Sequence, residues 1–168
     1  MTSCKDKDTQ SAELLQAAMD GDLKTVQMLL ADGVDINIKI TADGGNALLI
    51  ASYYGHTDIV KLLLEREADV NVKNTDGVSA LRMASQEGHT DIVKLLLERG
   101  ADVNIKSTNG VTALMKASQN GHTDIVKLLL ERGADVAATG VEWTALKLAK
   151  RMGHTEIVQL LEEAGATE

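Results

Sequence analysis

The apolar residues gather in short bands separated by polar turns. Ile59, Val60, Leu62, Leu63 and Leu64 form one band, and the same spacing returns at Ile92–Leu97 and Ile125–Leu130. Such a band is wider than a single helical stripe, so it predicts a helix buried on more than one side. Upstream of each lies a second short helical segment: ALLIASYY (47–54), ALRMASQE (80–87), ALMKASQN (113–120) and ALKLAKRM (145–152). Gly55, Gly88, Gly121 and Gly153 close these segments. Glycine suits a helix end in the left-handed conformation. His-Thr-Asp or His-Thr-Glu follows, a polar cap and then an acid, which suits the start of the next helix. Either His or Thr could be the cap.

The pattern is an internal repeat. GHTDIVKLLLEREADVN (55–71) returns as GHTDIVKLLLERGADVN (88–104) and GHTDIVKLLLERGADVA (121–137). GHTEIVQLLEEAGA (153–166) and GDLKTVQMLLADGVDIN (21–37) are looser copies. The leading glycines Gly21, Gly55, Gly88, Gly121 and Gly153 are 34, 33, 33 and 32 residues apart. One helix pair cannot bury its apolar faces alone, whereas stacked pairs share one continuous core. The connections ADVNVKNTDGVSA (68–80) and ADVNIKSTNGVTA (101–113) carry Asp76-Gly77 and Asn109-Gly110, strong turn signals flanked by Val and Ile. The expected fold is an all-α solenoid of stacked helix–turn–helix units with β-turn or hairpin-like projections. It has a flexible tail (1–10) and a single domain (11–168), with units at about 11–42, 43–75, 76–108, 109–140 and 141–168.

The period, the Ala-Leu pair, the Gly-His step, the IVKLLLERGADVN run and the Asp-Gly turn together resemble ankyrin repeats, over residues 11 to 166. One departure is systematic. The family's threonine-proline-leucine-histidine signature stands here as Asn46-Ala47-Leu48-Leu49, Ser79-Ala80-Leu81-Arg82, Thr112-Ala113-Leu114-Met115 and Thr144-Ala145-Leu146-Lys147. Alanine is an excellent helix former, so the fold is unaffected, while some rigidity at the turn is in question. The ends differ from the middle. Leu64, Leu97 and Leu130 are expected to face the next repeat, and Glu162 takes their place in the last unit. With a polar-faced first helix at the other end, this reads as a capped array.

Composition narrows the classes. The chain has 168 residues, no Phe, no Pro, one Trp and two Tyr. Its net charge is −8, without a basic block, whereas a nucleic-acid binder needs a basic stripe. Cys4 is the lone cysteine, so neither an internal disulfide nor a cysteine zinc cluster forms. No signal peptide or membrane-length apolar run is present, and the chain reads as cytoplasmic, with a nucleus or a host cell as further intracellular settings.

His56, His89, His122 and His154 invite a metal reading, but each occupies the same place in its repeat. Packed helices lie roughly 10 Å apart, whereas zinc needs ligands about 2 Å from one ion. The expected role is a structural imidazole at the helix junction. Asp58, Asp91, Asp124 and Glu156 recur in register in the same way, and Asp69, Asp102 and Asp135 read as loop scaffolding. No nucleophile elbow or phosphate-binding glycine loop occurs, and no cofactor is implied. The chain is expected not to be an enzyme.

Subtracting the repeated scaffold leaves the positions free to vary. They lie in the turns and in the last two residues of the first helices: Tyr53-Tyr54, Gln86-Glu87, Gln119-Asn120 and Arg151-Met152. Trp143 matches Val78 and Val111, just beyond the turn. The ankyrin resemblance implies that these positions and the turn tips form a concave recognition surface. Tyr and Trp are favoured at interface hot spots, and all three aromatics fall on this set. Ile40, Thr41 and Ala42 enlarge the first turn, and Lys39, Lys73 and Lys106 recur as a small basic row, read as solvated surface, with contact to an acidic partner as the alternative. The expected function is binding another protein as a monomer, without nucleic acid or membrane, with weak self-association through the tyrosines as an open route. The near-identity of the middle repeats also fits an engineered or consensus-like scaffold with no natural ligand.

Overall fold

In the computed structural model, residues 7–39 and 41–167 are described. They form ten helices in five pairs. These are α1 (Lys7–Asp20) with α2 (Leu23–Ala31), α3 (Ala47–Tyr54) with α4 (Thr57–Glu65), and α5 (Ala80–Glu87) with α6 (Thr90–Glu98). Then come α7 (Ala113–Asn120) with α8 (Thr123–Glu131), and α9 (Ala145–Met152) with α10 (Thr155–Glu163). The first turn of α1 occupies residues 7–10, which sequence reasoning assigned to a tail. Cys4 and Ile40 lie outside the described residues.

The odd-numbered helices form one row and the even-numbered helices a second. Successive odd helices pack closely, while successive even helices touch far less. Buried alanine pairs such as Ala47 and Ala51, Ala80 and Ala84, and Ala113 and Ala117 allow this close approach. A stack tighter along one row curves toward it, so the odd row forms the concave face. Between the rows run Leu48, Leu81, Leu114 and Leu146 facing Ile59, Leu63, Ile92, Leu96, Ile125 and Leu129, all at most 2% exposed. Each such side chain contributes on the order of 1.5–3 kcal/mol by leaving water.

Side chains start the inner helices where proline is missing. Asn46, Ser79, Thr112 and Thr144 accept from the amides of Leu49, Arg82, Met115 and Lys147 at 3.0, 3.3, 3.3 and 3.2 Å. Each satisfies one amide that the first helical turn leaves without a partner. The outer helices start differently from expectation. His56, His89, His122 and His154 occupy the cap position, yet none of their side chains caps the helix. Only the divergent α2 has a side-chain cap in this row: Asp22 accepts from the Thr25 amide at 3.0 Å and its hydroxyl at 2.6 Å. These bonds hold the Asp22 carboxyl below its ordinary range, the hydroxyl bond contributing most.

The loops lock neighbouring repeats together. Asn37, Asn71 and Asn104 accept from the amides of Asp69, Asp102 and Asp135, one repeat on, at 3.0, 2.8 and 2.8 Å. The same aspartates fold back onto the amides of Asn71, Asn104 and Ala137. At the tips, the amides of Thr75 and Thr108 donate to Asp43 and Asp76 in the preceding turn. The hairpin-like projections amount to isolated antiparallel bridges, Lys73 with Ser79 and Gly140 with Trp143, and no strand forms among the described residues. At the last outer helix, Glu162 pairs with Lys150 at 3.2 Å.

Glu67 marks a strained point. Its φ is 63°, where the equivalent Gly100 and Gly133 have 84° and 79°. A side chain at those glycines would meet nothing within 4 Å, so the cost at Glu67 is conformational alone. Replacing Glu67 with Gly should raise stability by about 1 kcal/mol, read as a higher denaturant midpoint. An unchanged or lower midpoint would refute strain at this site.

Candidate protein-binding face

The four histidines join one repeat to the next. Nε2 of His56, His89, His122 and His154 lies 2.8, 2.9, 2.9 and 3.1 Å from the carbonyls of Met19, Tyr53, Gln86 and Gln119 in the preceding repeat. A carbonyl only accepts, so Nε2 carries the proton in every case. Each ring also covers the glycine that ends the preceding inner helix. A Cβ on Gly21, Gly55, Gly88 or Gly121 would approach the imidazole to 2.6–2.7 Å. The histidines therefore position the ends of the inner helices, where the sequence-predicted binding residues stand.

Tyr53 and Tyr54 are exposed, with rings edge to face at a centroid distance of 5.1 Å. Tyr54 also stacks on His56 at 6.3 Å. The tyrosines border an open hollow of about 210 Å³ lined further by Met19, Leu49, Ile50, Met83, Thr41, Asp43 and Gly45. Asp43 on its rim is held below the ordinary carboxylate range, chiefly by the Thr41 hydroxyl. At the other end, Trp143 is 36% exposed, and the Arg151 guanidinium lies 5.0 Å from its ring centroid. Met152 beside Arg151 is exposed.

The middle candidates are more deeply tied into the scaffold. Glu87 is exposed and accepts from the Gln86 amide group at 2.9 Å. Gln119 accepts from Lys116 Nζ at 3.1 Å, and Asn120 donates to the Gln86 carbonyl at 2.8 Å. Val111 is half-buried against the core. Val78 is a correction: it is only 8% exposed. Its amide donates to Asn74 Oδ1 at 2.9 Å and its carbonyl accepts from the Asn74 amide, so it closes the turn and offers a partner almost no surface. In the lysine row, Lys39 Nζ donates to the Lys73 carbonyl at 2.9 Å and so bridges two turns.

Two residues absent from the sequence-based set stand at the centre of the face. Arg82 is half-buried, its guanidinium pKa lowered by desolvation and partly restored by Asp76. Its buried Nε has no hydrogen-bond partner. Lys116 is also half-buried and lowered, first by desolvation and then by the charge of Arg82. The signal was available: the third and fourth positions of the inner helices also vary, as Leu49-Ile50, Arg82-Met83, Met115-Lys116 and Lys147-Leu148.

A curved stack of helix pairs whose variable side chains line its tighter row is a repeat solenoid. The family model for ankyrin repeats (3 copies) matches residues 14–107 and 100–167. The chain belongs to the ankyrin repeat family, whose members are generally protein-interaction modules and typically not enzymes. It is 40% identical over 60 residues to ankyrin repeat and SAM domain-containing protein 6 of Rattus norvegicus, covering 36% of this chain and 7% of that protein. It is 49% identical over 59 residues to cortactin-binding protein 2 of Plecturocebus moloch, covering 34% of this chain and 4% of that protein. The chain thus spans a small fraction of the curated relatives it matches. No helix among the described residues is long and apolar enough to cross a membrane.

Removing one junction imidazole takes away a hydrogen bond and the packing over a glycine. His89→Ala should lower stability by about 1–2 kcal/mol in chemical denaturation, and zinc should leave the parent's stability unchanged. Stabilisation of the parent by zinc, lost in His89→Ala, would mean that the histidines hold a metal.

Proposed function

We propose that this chain binds another protein through the face of its inner helices and turn tips, without catalysing a reaction. The observation that carries the reading is the Tyr53–Tyr54 pair beside an open, largely apolar hollow. Exposed large aromatics are expensive to leave in water and are favoured anchors at interfaces. Both rings are exposed outside the core that holds the repeats together, with Tyr54 also stacked on His56. Trp143 under Arg151 gives a second anchor at the far end of the same face. The inner helices are capped, stacked and joined through their histidines, so little conformational freedom is lost on binding. Support also comes from the family, whose repeats bind proteins generally.

The test is affinity capture from the source cell's lysate, comparing the parent with a Tyr53→Ala, Tyr54→Ala, Trp143→Ala variant of matched helical content and melting. A protein retained by the parent and reduced tenfold or more with the variant is the expected result. Equal retention by both would move binding to another surface. No enrichment by the parent would remove the support for a protein partner.

A further inference from the structure

We infer that the inner face takes an acidic–apolar segment of a partner protein, an apolar side chain filling the hollow beside Tyr53 and a carboxylate seated between Arg82 and Lys116. This rests on the protein-binding reading and adds to it the chemistry of the partner.

A guanidinium stripped of part of its water needs acceptors, and a buried N–H left unpaired costs on the order of 1–3 kcal/mol. Arg82 has such an N–H at Nε, which is itself closed to solvent, and its Nη groups, which are not, make no hydrogen bond among the described residues. Asp76 exerts an attractive field on Arg82 without supplying that bond. Lys116 adds a second positive charge, close enough for the two to repel, with a neutral amide oxygen from Gln119 as its partner. An arriving carboxylate would accept from the guanidinium and neutralise the repulsion in one step. Planar carboxylates suit arginine because two oxygens meet two N–H groups.

Register links this charge to the hollow. Ile50, Met83, Lys116 and Leu148 occupy one position in successive inner helices. The apolar column that lines the hollow through Ile50 and Met83 is therefore interrupted one repeat later by Lys116. Neighbouring packed helices stand roughly 10 Å apart, which sets the distance from apolar anchor to carboxylate in the partner. Lys147 and Arg151 extend the positive side of the face beyond it, although the whole chain carries −8. These cations offer charge complementarity to a short acidic segment seated among them. A nucleic acid fits less well, because Asp43, Asp76 and Glu87 interrupt any continuous path for a phosphate backbone.

The experiment uses a displayed library of random dodecapeptides selected on the parent chain. Enriched peptides are resynthesised and titrated against the parent, an Arg82→Gln, Lys116→Gln variant and a Tyr53→Ala, Tyr54→Ala variant, each checked for parental melting. The expected result is enrichment of peptides joining Asp or Glu to an apolar anchor. Their affinity should fall at least tenfold with the glutamine variant, and similarly when the peptide acid is changed to its amide. Enriched peptides without acids, indifferent to the glutamine variant but lost with the tyrosine variant, would overturn the carboxylate seat while leaving the protein-binding face intact. Peptides indifferent to both variants, or no enrichment at all, would overturn both. Tighter binding of a single-stranded oligonucleotide than of any peptide would replace the inference with a nucleic-acid one.

Discussion

Each helix pair can bury its apolar faces only by sharing them with its neighbours, so the junction between successive repeats governs the rest of the structure. The junction is built from few parts. A glycine in the left-handed conformation ends the inner helix, and the imidazole of the next repeat lies over it and bonds the carbonyl two residues before it. A side chain in place of that glycine would collide with the ring. The alanines along the inner helices then set how closely the row packs. The asparagine ladder fixes the loops at the same pitch. Curvature, turn spacing and the alignment of the inner-helix ends all follow from these contacts.

The same contacts explain how a chain of near-identical repeats can still carry specific chemistry. The junction uses the backbone carbonyls of Met19, Tyr53, Gln86 and Gln119 and leaves their side chains free of that task. One column can therefore hold methionine, tyrosine or glutamine at successive repeats without altering the stack. The buried alanine and leucine columns have no such freedom. The face that results is apolar and aromatic near one end, cationic in the middle and again aromatic at Trp143. Surface identity and scaffold identity are carried by different atoms of the same residues.

Much of the fold was legible because periodicity and terminating glycines are local signals. The inner helices end at Tyr54, Glu87, Asn120 and Met152, each one residue before its glycine. What escaped depends on contacts between residues far apart in sequence. The histidines read as structural imidazoles at the helix junction, but the carbonyl each ring bonds, 35 to 37 residues back in the preceding repeat, is not a local signal. Val78 shares a column with Trp143, but the two differ in exposure, at 8% and 36%. Val78 lies in a longer turn closed by Asn74, whereas the shorter last turn leaves a bulkier ring at the surface. The significance of Arg82 and Lys116 comes from partial burial and mutual repulsion, neither of which a linear pattern reports.

The most direct test of this division between junction and face is a comparison of unfolding free energies by chemical denaturation. One variant carries a single junction change, Gly88→Ala, which sets a Cβ 2.7 Å from His122 Cε1 at a φ of 81°. The other carries alanine at Tyr53, Tyr54, Glu87, Arg151 and Met152 together. The account predicts that the single methyl costs more than about 2 kcal/mol, from left-handed strain and collision with the ring. The fivefold surface variant should lose less than about 1 kcal/mol. A fivefold variant that is the less stable of the two would contradict the account, because the inner face would then be part of the scaffold.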